Sequence, residues 1–455
     1  MANPLEIVIL AAGKGTRMYS DRPKVLHELA GKPLLGHVIV CAQVLKAGKI
    51  HVVYGHGGES VRNSFPDGNV EWVLQAEQKG TGHALQQAMP TVADDAQVLV
   101  LYGDVPLIAP STLRQLLDAA QGGVGLLTAE LDDGAGYGRI IRNASGNIVR
   151  IVERKDANPQ ELAIREINTG FLTAPAKLLR SWLKQLRNDN AQGEYYLTDV
   201  VALAVADGLA IASCQPQQLW EILGVNSKQE LAQLERIHQK QQAEALMQQG
   251  VTVRDPARLD IRGTLRCGRD VVIDVNCVFE GEVELGDGVT IGPNNVLRDV
   301  RIGARTQVHP NCVMEESTVG ADCRIGPFAR LRPGAKLADG AHIGNFVEIK
   351  NSEIGEGSKV NHLSYVGDTH MGKGVNIGAG TITANYDGAN KHRTQIGNNA
   401  STGSNTVLVA PVSVGEGATL GAGTVLRKDA PAGELTVTVA TQKTISGWKK
   451  PTKKK

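Results

Sequence analysis

TVGADCRIGPFARLRPGAKLADGAHIGNFVEIK, residues 318–350, carries an aliphatic residue at every sixth position: Val319, Ile325, Leu331, Leu337, Ile343 and Ile349. A glycine often follows it. A six-residue period is the pattern of a parallel β-helix, in which each hexad supplies one short strand and one turn and three hexads close a triangular coil. The aliphatic residue points inward and the glycines permit sharp corners. The register runs on in both directions. Leu285, Ile291 and Leu297 precede it; Ile354, Val360, Val366, Met371, Ile377, Ile396, Thr402, Leu408, Val414 and Leu420 follow. Five-residue steps join the runs at 297–302, 314–319, 349–354 and 366–371. One long stretch, TANYDGANKHRTQ (383–395), interrupts the repeat, and loops extruded from a regular scaffold are favoured places for function.

The rest of the chain has a different grammar. Across residues 5–226 short β-rich runs (IVIL, HVVYG, WVLQ, QVLVLYGD) alternate with helical spacing in KVLHELAGKPLLGHVIVCAQVL and STLRQLLDAA, which predicts a parallel, doubly wound α/β sheet. Residues 227–250 read as one amphipathic linker helix. Ser227 and Glu230 form a capping-box pattern, Leu231, Leu234 and Ile237 a stripe, and Gly250 a stop. The expected domains are therefore 1–226, a linker at 227–250 and the repeat coil at 251–455.

Composition narrows the function classes. The chain has 455 residues, 42% hydrophobic and 21% charged, with net charge +1, which excludes a disordered chain and nucleic-acid binding through bulk charge. Aromatics are 4% against 52 glycines, suiting a coil of small aliphatics. No apolar run reaches the length of a membrane span. LEIVILAAG leads into a glycine loop and reads as a strand, not a signal peptide. Cys41, Cys214, Cys267, Cys277, Cys312 and Cys323 lack metal or disulfide spacing, so free thiols in a reducing cytoplasm are expected.

Two sets of residues carry chemistry. In the first, AAGKGTRM follows the strand IVIL. Its glycines let backbone N–H groups approach a phosphate, and Lys14 and Arg17 supply charge. Lys24, after Pro23, is a point charge for a phosphate. Asp104 ends QVLVLYGD, where ligands gather in doubly wound sheets, and suits Mg²⁺ held by one or two protein ligands plus substrate phosphates. A plain turn, an exposed lysine and an N-cap aspartate are the bland alternatives. In the second set, Arg332 and Lys350 stand 18 apart, so they share a face of the coil and form a phosphate seat or an ordinary solvated pair. His362, with an unperturbed pKa of about 6.5, suits a general base for an amine. A zinc site would need three converging histidines; His309, His342, His370 and His392 form no compact ligand pattern. The lysine-rich end, KKPTKKK, reads as a solvated terminus, or as a contact for an anionic ligand.

LAAGKGTRM, Pro23-Lys24, QAEQKGTGHA (75–84), YGDVPL, Tyr137-Gly138, Glu153 and EINTG (166–170) together resemble the sugar-nucleotide pyrophosphorylases. RIGPFARLRPGA, HIGNFVEIKN, NIGAGTITANYDGANKHRT and the final GW-x-x-P extend the resemblance over nearly the whole chain. It is to the family of bifunctional N-acetylglucosamine-1-phosphate uridylyltransferase / glucosamine-1-phosphate N-acetyltransferases. That resemblance implies a Rossmann-like nucleotidyltransferase domain, a linker helix and a left-handed parallel β-helix of hexapeptide repeats. It implies acetyl transfer from acetyl-CoA to glucosamine 1-phosphate, then uridylyl transfer from UTP to N-acetylglucosamine 1-phosphate, giving UDP-N-acetylglucosamine for peptidoglycan and lipopolysaccharide. By carry-over, Leu10, Ala11, Ala12, Gly13, Lys24, Gln75, Gly80, Thr81, Tyr102, Gly103, Asp104, Gly138, Glu153, Asn168 and Asn226 bind UTP or the UDP-sugar. Arg17 and Lys24 act on the triphosphate, and Asp104 with Asn226 ligates Mg²⁺. Arg332, Lys350, Tyr365 and Asn376 bind glucosamine 1-phosphate, His362 is the base, and Ala379, Asn385, Tyr386, Ser404 and Ala422 contact acetyl-CoA. A homotrimer with β-helix sites between subunits is implied, with no nucleic-acid partner and no membrane span. The competing expectations are a pyrophosphorylase whose coil serves oligomerisation alone, and a repeat-built binding protein.

Two places depart from the family pattern. Ala400, Ser401 and Thr402 replace a Val-Phe-Val-like run, putting a hydroxyl at an inward position and predicting a loosened coil. Val439 replaces an arginine that contacts CoA, predicting weaker acetyl-CoA binding, offset in part by Lys443 or the lysine tail.

Overall fold

The computed structural model describes residues 3–451 except 14, 56, 67, 68, 135 and 440. Chain contacts divide into two units, Met1–His238 and Gln239–Lys455.

The first unit is built on a twisted sheet. Its strands run in the order Ile211–Cys214, Val124–Glu130, Glu166–Pro175, Gln97–Tyr102, Leu5–Leu10, Lys49–Tyr54, Glu71–Leu74. Strand Leu5–Leu10 shows why the sheet forms. Ile7 and Ile9 enter one apolar cluster and Val8 and Leu10 another, so both faces are covered, as the unbroken apolar run Ile7–Leu10 requires. The sheet is mixed, which corrects the parallel expectation: Glu166–Pro175 runs antiparallel to both neighbours. The helical spacing read across 24–45 is also corrected. Only Leu34–Val44 is an α-helix; the segment before it holds a short 3-10 turn and the hairpin Glu28–Leu29/Lys32–Pro33. Positive φ at Ala30 and Gly31 turns that hairpin. Strand Leu5–Leu10 lies between Lys49–Tyr54 and Gln97–Tyr102, so the strand order reverses beside it. Ligand crevices of doubly wound sheets open at that switch point, past the carboxyl ends of the strands.

Helix Lys228–Gln248 realises the linker pattern. Its cap differs from the expected box. Ser227 Oγ accepts from Glu230 N at 3.2 Å, but the Glu230 carboxylate reaches back to Asn226 N at 2.6 Å, one residue early. Leu234 is buried in a first-unit cluster against which Leu231 and Ile237 pack, while Ala243 and Leu246 belong to the core of the second unit.

The second unit is a parallel coil. Successive rungs pair Ile273, Ile291, Val308, Ile325, Ile343, Val360 and Ile377, each 17 or 18 residues after the last. All of these are buried, as is every inward position read from the hexads, Thr402 included. The interruption is an extruded loop. Strands Ile382–Ala384 and Thr394–Ile396 flank it, and Tyr386 and Lys391 bridge antiparallel within it.

The hydroxyl that Thr402 turns inward has the partners it needs: its Oγ1 accepts from Gly378 N at 2.9 Å and meets Thr381 Oγ1 at 3.0 Å. On the rungs nearby, the glycine N–H after the inward residue bonds a backbone carbonyl, as Gly403 N does with Leu420 O. At Gly378 a side-chain hydroxyl stands in for that carbonyl.

Candidate functional site

The switch point of the first unit holds a cavity of about 520 Å³, with Leu10, Ala11, Ala12, Gly13, Lys24, Gln75, Gly80, Thr81, Tyr102 and Asp104 in its wall. These are ten of the fifteen residues read from the sequence as binding UTP or the UDP-sugar, brought together from four segments. Thr16, Gln78 and Glu194 join them without having been singled out. Gln78 lies inside QAEQKGTGHA, so the motif contained it. Lys14 lies outside the described residues.

The loop over this cavity is shaped by Gly15. Its φ is +62° and a Cβ there would stand 2.6 Å from the Lys24 Cβ, so a side chain would displace the lysine. Lys24 Nζ lies 2.5 Å from Asp104 Oδ2 and 3.0 Å from Asn226 Oδ1, all part-buried. The pairing is a folding event, since 80 and 202 residues separate the partners. Val225 N donates to Asp104 O at 2.9 Å and brings Asn226 to it. Glu221, 1% exposed, fixes the approach by accepting from Thr112 Oγ1 and Ala109 N.

A second cavity, of about 600 Å³, shares Tyr102 and Asp104 with the first and includes Arg17, Tyr137, Arg154 and Asn226. The Gly138 carbonyl accepts from Asn168 N at 2.9 Å, and Glu153 lies alongside, its carboxylate accepting from Thr198 Oγ1 at 3.0 Å. Burial raises the Glu153 pKa; like charge from Asp199, Asp156 and Glu194 adds to it, and Thr198 opposes it. Tyr102 is raised by burial and by the nearby Glu153 and Asp104. Gln75, 2% exposed, is committed to Gly80 O at 3.2 Å and His83 Nδ1 at 3.0 Å, which fixes its amide at the cavity edge.

In the second unit an outward column alternates in sign: Arg262 pairs with Glu280, Glu280 with Arg298, and Arg298 with Glu315. The register then places Arg332 and Lys350 next, one residue beyond the pairs Met314–Leu331 and Leu331–Ile349. Two cations are stacked where alternation calls for an anion, so this end of the column carries surplus positive charge. The next rung is Gly367, where a Cβ would lie 2.3 Å from the Tyr365 hydroxyl and 2.8 Å from Asn385 Nδ2. Lack of a side chain there lets the Tyr365 hydroxyl and the Asn385 amide close in, so that two cations, a hydroxyl and an amide form one cradle.

Neighbours hold this cradle in place. Arg332 Nη1 donates to Glu348 at 2.8 Å, and Lys350 lies 3.7 Å from Asp368. Burial alone would raise the Asp368 pKa. Donors from Asn351 at 2.6 Å and Asn385 at 2.5 Å, with Lys350, outweigh it and hold it below the usual carboxylate range. The extruded loop adds a cation the sequence reading missed: Lys391 approaches Lys350 closely enough that its pKa is lowered. Sequence offered no spacing signal for it, because the loop breaks the repeat.

His362 and the acetyl-CoA candidates share one corner of the coil. Gly380 N donates to His362 O, Asn405 N to Ala379 O and Gly423 N to Ser404 O, at 3.1, 2.7 and 2.8 Å. His362, Ala379, Ser404 and Ala422 thus occupy equivalent corners of four successive turns. Asn376 is not brought to Tyr365 and Asn385: it lies on the sheet with Lys359 and Ser401, on a different side of its chain. Tyr386 is exposed at the loop and donates to Gly388 O at 2.6 Å. Among the described residues no three His, Cys, Asp or Glu side chains gather as a metal cluster, and no helix is long and apolar enough to cross a membrane.

A family model described as a MobA-like NTP transferase domain matches residues 7–253, and a bacterial transferase hexapeptide model (six repeats) matches 316–351 and 393–428. The bifunctional protein GlmU of Aromatoleum aromaticum is 59% identical over 453 residues, 99% of each chain. That of Thiobacillus denitrificans is 62% identical over 452 residues, 99% of this chain and 98% of its own. The chain belongs to the GlmU family. It is a uridylyltransferase and an N-acetyltransferase of UDP-N-acetylglucosamine synthesis, using UTP and acetyl-CoA. Family membership sets aside the reading of the coil as an oligomerisation module alone.

Proposed function

We propose that the Lys24–Asp104–Asn226 cleft is the uridylyl-transfer centre, and that the coil corner from His362 to Ala422, with the Arg332–Lys350 cradle, is the acetyl-transfer centre. The carrying observation is that corner alignment. A CoA arm laid along Ala422, Ser404 and Ala379 reaches His362, and the surplus cations on the adjoining side take the phosphate of glucosamine 1-phosphate. Arg332, Lys350 and Lys391 bind that phosphate; Tyr365 and Asn385 orient the sugar. His362 takes a proton from the ammonium, the freed nitrogen attacks the thioester carbonyl, and the tetrahedral adduct collapses to the amide and the CoA thiol.

In the first unit, the oxygen of N-acetylglucosamine 1-phosphate attacks the α-phosphate of UTP and pyrophosphate departs. Lys24 and Arg17 neutralise the triphosphate, backbone N–H groups at Gly13 and Gly15 cradle it, and Glu153, Asn168 and Gly138 hold the sugar. Asp104 and Asn226 fit Mg²⁺: both present hard oxygens, and both already converge on a cation, the Lys24 ammonium. Bound there, the metal supplies neutralisation of phosphate charge. A cytoplasmic setting is supported by six free cysteines. A homotrimer is supported by an exposed ladder one residue past the catalytic corner: Phe328 and Phe346 stack at 5.1 Å and are 48% and 55% exposed, with Leu363 at 63%.

The test follows free thiol and pyrophosphate separately with glucosamine 1-phosphate, acetyl-CoA and Mg²⁺-UTP. His362→Ala should abolish thiol release while pyrophosphate release from supplied N-acetylglucosamine 1-phosphate persists. Asp104→Ala should do the reverse. Thiol release that survives His362→Ala, or pyrophosphate release that survives Asp104→Ala, overturns the corresponding assignment.

A further inference from the structure

His362 makes one side-chain hydrogen bond that the chemistry above does not use. Its Nδ1 lies 2.9 Å from Asn345 Oδ1. The two residues are direct register partners on adjacent turns, and the backbone carbonyl of Asn345 accepts from Leu363 N at 3.1 Å, on the far side of His362. The coil therefore fixes Asn345 from two directions, whereas the imidazole itself is exposed.

An amide oxygen can only accept, so the hydrogen must sit on Nδ1 and the lone pair on Nε2. That is the tautomer a general base needs when Nε2 meets the substrate. We propose that Asn345 is the positioning residue of acetyl transfer: it selects the Nε2-basic tautomer of His362 and aims it along the corner. It does so without a charge, so it adds no repulsion toward the substrate phosphate or CoA. The inference rests on His362 being the base.

The titratable and charged groups around His362 are His342 on the preceding turn, Lys359 on its own strand and Tyr365 past the corner; the following rung offers the neutral Asn376. None changes in the variants that follow.

The experiment compares Asn345→Ala, Asn345→Asp and His362→Ala in the full chain, reading thiol release against pH. Asn345→Ala should lose about 10–100-fold in kcat, the usual loss when a group orienting a functional histidine is removed, with both Michaelis constants within twofold. Asn345→Asp keeps an acceptor but adds a charge that favours the imidazolium. It should retain kcat on the alkaline side, while the acidic limb of kcat/KM moves up by about one pH unit or more. Unaltered Michaelis constants show that the coil still folds; if the alanine variant fails to fold, the aspartate variant decides alone. An Asn345→Ala kcat within twofold of the parent, or an Asn345→Asp profile that superimposes on it, overturns the inference. If those results come with an inactive His362→Ala, only the positioning role falls. Thiol release surviving in His362→Ala overturns the base assignment beneath it.

Discussion

Replacing Lys350 with methionine removes one cation from the break in the charge column and keeps the aliphatic stem. Lys350 is 18% exposed along its side chain, so a phosphate bound to it would be partly desolvated. A hydrogen bond to a charged group contributes about 1.5–3 kcal/mol. At about 1.36 kcal/mol per tenfold, that is a loss of about 10–150-fold in kcat/KM for glucosamine 1-phosphate, expressed mainly in KM. Asp368 keeps its donors from Asn351 and Asn385, so the cradle survives. The variant also carries a pH signature. Lys350 lowers the pKa of Lys391, so in the parent Lys391 sheds its proton early as pH rises, and phosphate affinity falls with it. Without Lys350 the largest cause of that depression is gone, and the alkaline limb of kcat/KM should move to higher pH. The assay is thiol release at saturating acetyl-CoA against glucosamine 1-phosphate concentration and pH, with pyrophosphate release as the control for the first unit. A KM within twofold of the parent, or an alkaline limb that does not move, refutes the column as the phosphate seat.

Val439 is 88% exposed, so the cation that Val439→Arg introduces would meet CoA phosphates in a well-solvated place. Exposed pairs contribute about 0.2–1 kcal/mol, so the acetyl-CoA KM should fall up to about fivefold; an unchanged KM counts against the role. Thr402→Val removes the acceptor of Gly378 N. A buried donor left alone costs about 1–3 kcal/mol, offset by about 0.8 kcal/mol for the methyl group. Hydrogen exchange of the Gly378 amide should therefore quicken, and exchange as slow as in the parent would show that the strand shifts to offer its carbonyl instead.

Much of the coil was legible because its register is local. Each hexad announces its own inward residue, and Val319 through Ile349 went where the period put them. Thr402 broke the pattern, and reading it as a defect missed Gly378, whose N–H comes from the preceding turn. The mixed sheet was less legible. Strand–helix alternation does not record direction, and Glu166–Pro175 reverses because a β-hairpin element, Arg139–Arg142 with Ile148–Val152, stands where a crossover helix was expected. A helix, Lys228–Gln248, forms inside the stretch read as the linker, but its cap closes on Asn226, since a carboxylate on a helix can reach either of two preceding N–H groups.

By itself the sequence determined the two architectures, the candidate motifs for phosphate and sugar, and the residue types at each candidate site. Those follow from short-range periodicity and from side-chain chemistry, which any reading of the chain contains. Only the tertiary structure decided that Lys24 stands between Asp104 and Asn226, that His362 lines up with Ala379, Ser404 and Ala422, that Asn345 holds the imidazole, and that Lys391 comes back to Lys350. Each of these joins groups on different strands, turns or loops. Pairing at that range depends on the stacking of turns and on the path of an extruded loop, and neither leaves a period in the sequence.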